Sequence, residues 1–153
     1  MPRAFFDGAE QNGACGCGFF IIVDKDTNFS IFWNGGRGTN NSAEAMALAS
    51  LLYFCLFLNL QGVSIYGDSK IMVEYVKGKN SISSPHLFGW LNRIKFYWNL
   101  LKEGSIQHIY RDKNVQADAL SKKGFLEALG HWHLEVSVEK DIFFIQDFYP
   151  TNF

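Results

Sequence analysis

The sequence lacks an excess of positive charge. Its 14 Lys and Arg residues are balanced by 15 Asp and Glu residues, which gives a net charge of −1. Proteins that hold nucleic acid mainly by electrostatic attraction have a clear excess of Lys and Arg, because counterion release supplies their affinity. The balance argues against a strongly electrostatic nucleic-acid binder, although metal ions bound at an acidic site would neutralise part of the negative charge.

Cysteine is also scarce. Cys15, Cys17 and Cys55 form an odd set without Cys-x-x-Cys spacing, and the opening residues Met1-Pro2-Arg3 do not resemble a signal peptide. We therefore expect an intracellular, reducing compartment, either the nucleus or the cytoplasm. Cys15 and Cys17 are expected to place two small side chains on one strand face, and a metal or redox role is the less favoured alternative.

No repeat, linker or low-complexity stretch divides the chain. With 153 residues, of which 48% are hydrophobic, it is long enough to bury a substantial core. We predict one domain over residues 1–130 and a hydrophobic extension over residues 131–153. Residues 143–149 are too apolar to remain solvated, so this tail should pack on the domain or self-associate with a partner chain.

The hydrophobic pattern predicts an α/β domain whose sheet has antiparallel and parallel parts, with the element order βββαβααβα. The first three strands are separated by turn-like segments at residues 11–13 and 24–28. The long apolar helix must be buried on two faces, and its Glu44, Ser50 and Asn59 argue against the alternative of a membrane span. Strands are predicted at residues 3–8, 15–24, 29–34, 63–66 and 106–111, and helices at residues 43–60, 69–76, 87–101 and 115–129.

Four carboxylates stand at the expected ends of strands and starts of helices. They are Asp7 in AFFDG, Glu44 in TNNSAE, Asp68 in IYGDS and Asp118 in NVQADALS. Singly, each has an ordinary explanation as a turn, an N-cap or a first-turn acid. Two strand and two helix carboxylates can also converge, and such a cluster suits phosphodiester hydrolysis by two divalent ions about 4 Å apart.

The order of these segments resembles that of the type 1 ribonuclease H family, in particular its plant and retroelement members. The matching segments are Asp7-Gly8, Thr39-Asn40-Asn41-Ser42-Ala43-Glu44, Asp68-Ser69, and Asn114 followed by Ala117-Asp118. The resemblance implies an RNase H-like fold, with a mixed five-stranded sheet and helices on both faces. It also implies an endoribonuclease that cleaves the RNA strand of RNA/DNA hybrids and leaves 5′-phosphate and 3′-hydroxyl ends.

The same resemblance implies the roles of the site residues. Two Mg²⁺ ions, for which Mn²⁺ may substitute, would be ligated by the four acids. Asp7 would bridge both ions, Glu44 and Asp68 would complete the nucleophile side, and Asp118 would ligate the other ion. The substrate, an RNA/DNA hybrid or as a second candidate double-stranded RNA, would contact Gly8, Thr39, Asn40, Asn41, Ser69, Lys70 and Asn114.

Three departures from the family pattern accompany the resemblance. Lys70 stands where a polar amide is usual, the loop before Asp118 has no His, and no basic protrusion is present. His108 is expected to lie in a strand, and His131 and His133 to lie at the surface or in packing contacts. A nucleic-acid-binding module without turnover and a regulatory domain derived from a retroelement therefore stay open as alternatives.

Overall fold

A seven-stranded mixed sheet carries the fold of the protein, which is described here by a computed structural model. The structure describes residues 1–150 and 153, and for residues 144–148 it describes the backbone alone. The strands are β1 Arg3–Gln11, β2 Ala14–Ile22, β3 Thr27–Arg37, β4 Ser64–Gly67, β5 Ser105–His108, β6 Trp132–Val138 and β7 Asp141–Phe148. The helices are α1 Asn40–Phe57, α2 Lys70–Val76, α3 Phe88–Leu100 and α4 Val115–Lys123.

The sheet has antiparallel and parallel parts. Its strand order is β5-β4-β1-β2-β3-β6-β7, and β4 and β5 run parallel to β1 while the other pairs are antiparallel. The turn between β1 and β2 contains Asn12 and Gly13, both with positive φ (53° and 82°), which matches the twist of a tight hairpin. The mixed α/β class is confirmed.

Helices cover both faces of the sheet, and the alternation of side chains along β2 shows how. The thiols of Cys15 and Cys17 point to the carbonyls of Thr39 and Ala43 at the start of α1. Gly16 lies between them on the other face, where a Cβ would collide with the backbone of α4; Gly18 makes the same close approach. The prediction that the two cysteines share a strand face is confirmed, while the reducing compartment stays a prediction.

Helix α1 fills the centre of the main core. It is buried on two sides, as predicted, and contacts β1, β2 and α3. It begins three residues before the predicted start because the Thr39 hydroxyl accepts a hydrogen bond from Ser42 N–H and caps it. Among the described residues no helix combines the length and apolar character that a membrane crossing needs.

Several predicted elements end earlier in the structure, and two of these ends bear on the site. The strand predicted to reach residue 111 ends at His108, and a 3₁₀ turn follows over Arg111–Lys113. The last helix, predicted to reach residue 129, ends at Lys123, because the chain then turns back and Leu129 bridges to Asn34 of β3. The turn includes a further 3₁₀ segment over Gly124–Leu126.

The predicted sheet of five strands was too small, because residues after Gly130 add two more. Strand β6 pairs with β3 and places Trp132 opposite Trp33, and Trp132 is only 1% exposed. Strand β7 pairs with β6 through the backbone, while the side chains of residues 144–148 lie outside the described part of the chain. Their burial and the self-association of the tail stay predictions.

Candidate active site

Strand register brings two of the four predicted carboxylates together. Strands β1 and β4 run parallel with Phe6 opposite Gly67, so the next residue on each strand is an aspartate. Asp7, which lies within β1, and Asp68, which follows β4, therefore stand side by side just past the last β1–β4 pair. This is the edge at which mixed and parallel α/β sheets position ligands.

The third carboxylate comes from α1. The backbone N–H of Gly8 donates a 2.7 Å hydrogen bond to Glu44 Oε1, which ties the first turns of the helix to the strand. Gly8 has no room for a side chain, because a Cβ would collide with the Ala43 carbonyl group and Glu44 N. One carboxylate oxygen from each of Asp7, Glu44 and Asp68 lies within 4.8 Å of the others.

The fourth carboxylate, Asp118, reaches the same place from the opposite face of the sheet. It lies in the first turn of α4 and lines one cleft with Asp7 and Glu44. The start of α4 is held to β1 by Asn114, whose Nδ2 donates a 2.9 Å hydrogen bond to the Phe6 carbonyl. The four acids predicted from separate motifs are therefore brought together.

The electrostatics of the cluster favour a bound cation. Burial, followed by the charges of Asp68 and Asp118, raises the pKa of Asp7 to about 8. Burial, with the charges of Asp7 and Asp68, also holds the pKa of Glu44 well above its usual range, against the lowering effect of the Gly8 N–H bond. In addition, Asp68 Oδ2 is buried and has no hydrogen-bond partner among the described residues.

Asp7, Glu44 and Asp118 line a cleft of about 310 Å³. Its lining includes the predicted substrate residues Gly8, Asn40, Asn41 and Ser69. Ser69 also caps α2 by accepting a hydrogen bond from Met72 N–H. The substrate roles of these residues stay predictions, but their positions are compatible with them.

Three other predicted contact residues do not line the cleft. Thr39 caps α1, Lys70 is exposed at the first position of α2, and Asn114 is buried and bound to the Phe6 carbonyl. For Asn114 the structure gives a positioning contact, which the motif alone did not indicate. Contact of these three residues with substrate stays a prediction.

Sequence reasoning missed two cations of the cleft, Arg111 and Lys122. Arg111 was assigned to the end of a strand, whereas it begins the 3₁₀ turn before α4. Lys122 follows Asp118 by four residues, and its Nζ lies 3.1 Å from Asp118 Oδ2. Helical spacing of four residues was the signal that could have revealed Lys122, since such residues lie on one helix face.

The raised pKa values predict how the ion-free protein responds to pH. The native pKa of Asp7 is about 8 instead of the usual 3.8, and that of Glu44 is also raised. Between pH 3.8 and about 8 the native state therefore binds more protons than the unfolded chain. The free energy of unfolding should therefore fall as the pH rises from about 4 to 8.

This response can be measured as melting temperatures at pH 5 and pH 8 in a chelator. Adding Mg²⁺ at pH 8 should recover stability, because a cation favours the ionised carboxylates. The control is an Asp7→Asn variant, whose stability should differ much less between pH 5 and pH 8 than that of the parent. Equal stability of the ion-free parent at both pH values would contradict the prediction.

Comparison with known proteins agrees with the motifs. A family model described as reverse transcriptase-like matches residues 5–124, a range that contains all four acids. Ribonuclease HI of Halobacterium salinarum is 29% identical over 132 residues, which cover 82% of this chain and 65% of the relative. This chain thus spans less than two thirds of that relative's length.

Solved structures show the same architecture. The crystal structure of RNase H1 from the halophilic archaeon Halobacterium salinarum NRC-1 has a TM-score of 0.73 and 25% identity, and the match covers 83% of this chain and 98% of that one. LC11-RNase H1, solved in complex with an RNA/DNA hybrid, has a TM-score of 0.66 and 25% identity, with coverage of 78% and 93%.

Proposed function

This chain belongs to the reverse transcriptase-like family of type 1 ribonuclease H domains, and from that premise we propose that it hydrolyses the RNA strand of RNA/DNA hybrids. The products would carry 5′-phosphate and 3′-hydroxyl ends. The observation that carries the proposal is the convergence of the four acids: Asp7, Glu44 and Asp118 line one cleft, and Asp68 joins Asp7 and Glu44 in one close group of carboxylate oxygens. The hybrid bound to LC11-RNase H1 supports the choice of substrate.

The residues of the cleft fit a pair of Mg²⁺ ions, with Mn²⁺ as a substitute. Carboxylate oxygens are the ligands that Mg²⁺ prefers, and the unpartnered Oδ2 of Asp68 offers a buried ligand atom. Asp7, Glu44 and Asp68 would hold one ion, and Asp7 with Asp118 would hold the other. When bound, such a pair activates water as the nucleophile and stabilises the leaving oxygen.

The protein's own contribution is to hold the ligands in place before substrate arrives. Asp7 is fixed by pairing of β1 with strands on both sides, and Glu44 is oriented by the Gly8 N–H. The Asn114 bond to Phe6 fixes the helix that carries Asp118. Sites mounted on strands and helices keep productive geometry better than sites on loops.

Recognition of the RNA strand is assigned to Asn40 and Asn41. Both are exposed at the first positions of α1 and line the cleft beside Glu44. Their amides can donate and accept hydrogen bonds at minor-groove edges and 2′-hydroxyl groups, which distinguish RNA from DNA. Gly8 and Ser69 would border the strand, while Thr39, Lys70 and Asn114 are proposed contacts outside the cleft lining.

Replacing Asn40 and Asn41 together by Ala should weaken hybrid cleavage by a factor equivalent to about 1–3 kcal/mol, the scale of lost buried hydrogen bonds. Metal affinity and fold should be preserved, since neither side chain ligates an ion. The measurement is kcat/KM on a defined hybrid. The matched control replaces Asn92 and Asn99, both exposed on α3. Unchanged activity of the Asn40/Asn41 variant would show that Asn40 and Asn41 do not contact the substrate.

The activity itself is tested by incubating the protein with an RNA/DNA hybrid, an RNA duplex and a DNA duplex in Mg²⁺ and then in Mn²⁺. We expect cleavage of the hybrid's RNA strand, and the ends can be identified by 5′-phosphate-dependent exonuclease digestion. Binding of the hybrid without cleavage in either ion would favour a binding module. Failure to bind as well would favour the regulatory-domain alternative.

A further inference from the structure

One of the four acids is already paired with a cation of the chain itself. Lys122 and Asp118 lie one turn apart on α4, and Lys122 Nζ donates a 3.1 Å hydrogen bond to Asp118 Oδ2 inside the cleft. Asp7, Glu44 and Asp68 form the close oxygen group, and no Lys or Arg pairs with them in the described part of the chain. The two halves of the site thus differ before any ion binds.

We propose that Lys122 is a resident competitor for Asp118, which makes the ion on the Asp118 side the weaker of the two. The inference deepens the proposed function and rests on it. An incoming divalent ion on this side must first displace the ammonium group from Asp118 Oδ2. The ion held by Asp7, Glu44 and Asp68 meets no such competitor.

The exposure of the pair makes the competition reversible. Lys122 is 65% exposed and Asp118 is 29% exposed, so water and salt screen their attraction. A lysine side chain is flexible and finds alternative positions in water at little cost. A divalent ion, with twice the charge and direct ligation, can therefore replace the ammonium, and the ion pair weakens the second binding step without blocking it.

The neighbouring lysine supplies a matched control. Lys123 carries the same charge on the same helix, but its Nζ lies 6.0 Å from the centre of the Phe32 ring and it does not line the cleft. Replacing either lysine by Gln removes one positive charge from α4. Only the change at Lys122 removes the contact with Asp118.

The experiment measures Mn²⁺ binding to the substrate-free protein by electron paramagnetic resonance, so that it does not depend on turnover. In Lys122→Gln the weaker binding step should tighten about two- to fivefold, the range expected for loss of an exposed ion pair, and the stronger step should stay unchanged. Lys123→Gln should match the parent. Thermal melting of each variant checks that the fold is intact.

A double-mutant cycle tests whether the effect passes through Asp118. In an Asp118→Asn background, Lys122→Gln should leave the Mn²⁺ isotherm unaltered. An unchanged or weakened second step in Lys122→Gln, or the same tightening in the Asp118→Asn background, would overturn the inference while leaving the proposed function standing. A parent protein that binds no divalent ion would instead refute the metal-dependent function, and this inference with it.

Discussion

Replacing Asp68 by Asn should leave the ion-free protein at least as stable as the parent and lower hybrid cleavage by several orders of magnitude. In the absence of ions, the charge of Asp68 is among the causes that raise the pKa of Asp7 and Glu44, so its removal relieves repulsion. With Mg²⁺, the same change removes a ligand and displaces the reacting geometry. If Asp68 had a purely structural role, its replacement would lower the stability of the ion-free protein as well as the cleavage rate in Mg²⁺.

The test combines melting in a chelator with single-turnover cleavage in Mg²⁺. Hybrid binding should be retained, and Asp118→Asn should behave similarly. Asp112→Asn is the matched control, because Asp112 is an exposed acid close to Asp118 in sequence but outside the cleft lining. A parent that is inert in both Mg²⁺ and Mn²⁺ would end the enzyme assignment; a parent and an Asp68→Asn variant that both cut would show that the site has been misplaced.

Trp132→Ala should be the most destabilising single truncation in the C-terminal hairpin, with a loss of about 3–5 kcal/mol. Trp132 is 1% exposed, and its ring stacks on Trp33 at 5.5 Å between centroids and meets Phe19 edge-on at 6.0 Å. Its loss would leave a cavity between the sheet and α1, where Tyr53 also contacts it.

Urea denaturation followed by far-ultraviolet circular dichroism measures this loss. Ile142→Ala is the control within the hairpin, since Ile142 is 54% exposed on β7 and its truncation should cost far less. Comparable stabilities of the two variants would mean that the hairpin is attached to the sheet without being part of the core.

The site acids could be predicted because each lies in a short motif within or next to a local element. Asp7 and Asp68 follow apolar runs that form neighbouring strands, and Glu44 follows a capping segment, so sequence neighbours determine where each acid lies. The class of fold follows from the same local patterns of period two and period 3.6.

The C-terminal hairpin could not be located by the same reasoning. The alternation of Trp132, Leu134 and Val136 indicates a strand, but its partner is β3, about a hundred residues earlier in the chain. Pairing over such a separation depends on which sheet edge is open after the other elements have packed. The positioning contact of Asn114 could not be predicted for a related reason, because its bond to Phe6 joins segments that the motif does not connect.

The glycines of β1 and β2 have a consequence for how the site responds to change elsewhere. Gly8 lets the start of α1 rest directly on β1, and Gly16 and Gly18 let α4 rest directly on β2. Side chains do not separate backbone from backbone at these points, so the spacing of the acids is insulated from rotamer changes and volume changes in the core. The interior can accumulate substitutions while the carboxylates keep their separation, provided that these three positions stay without a side chain.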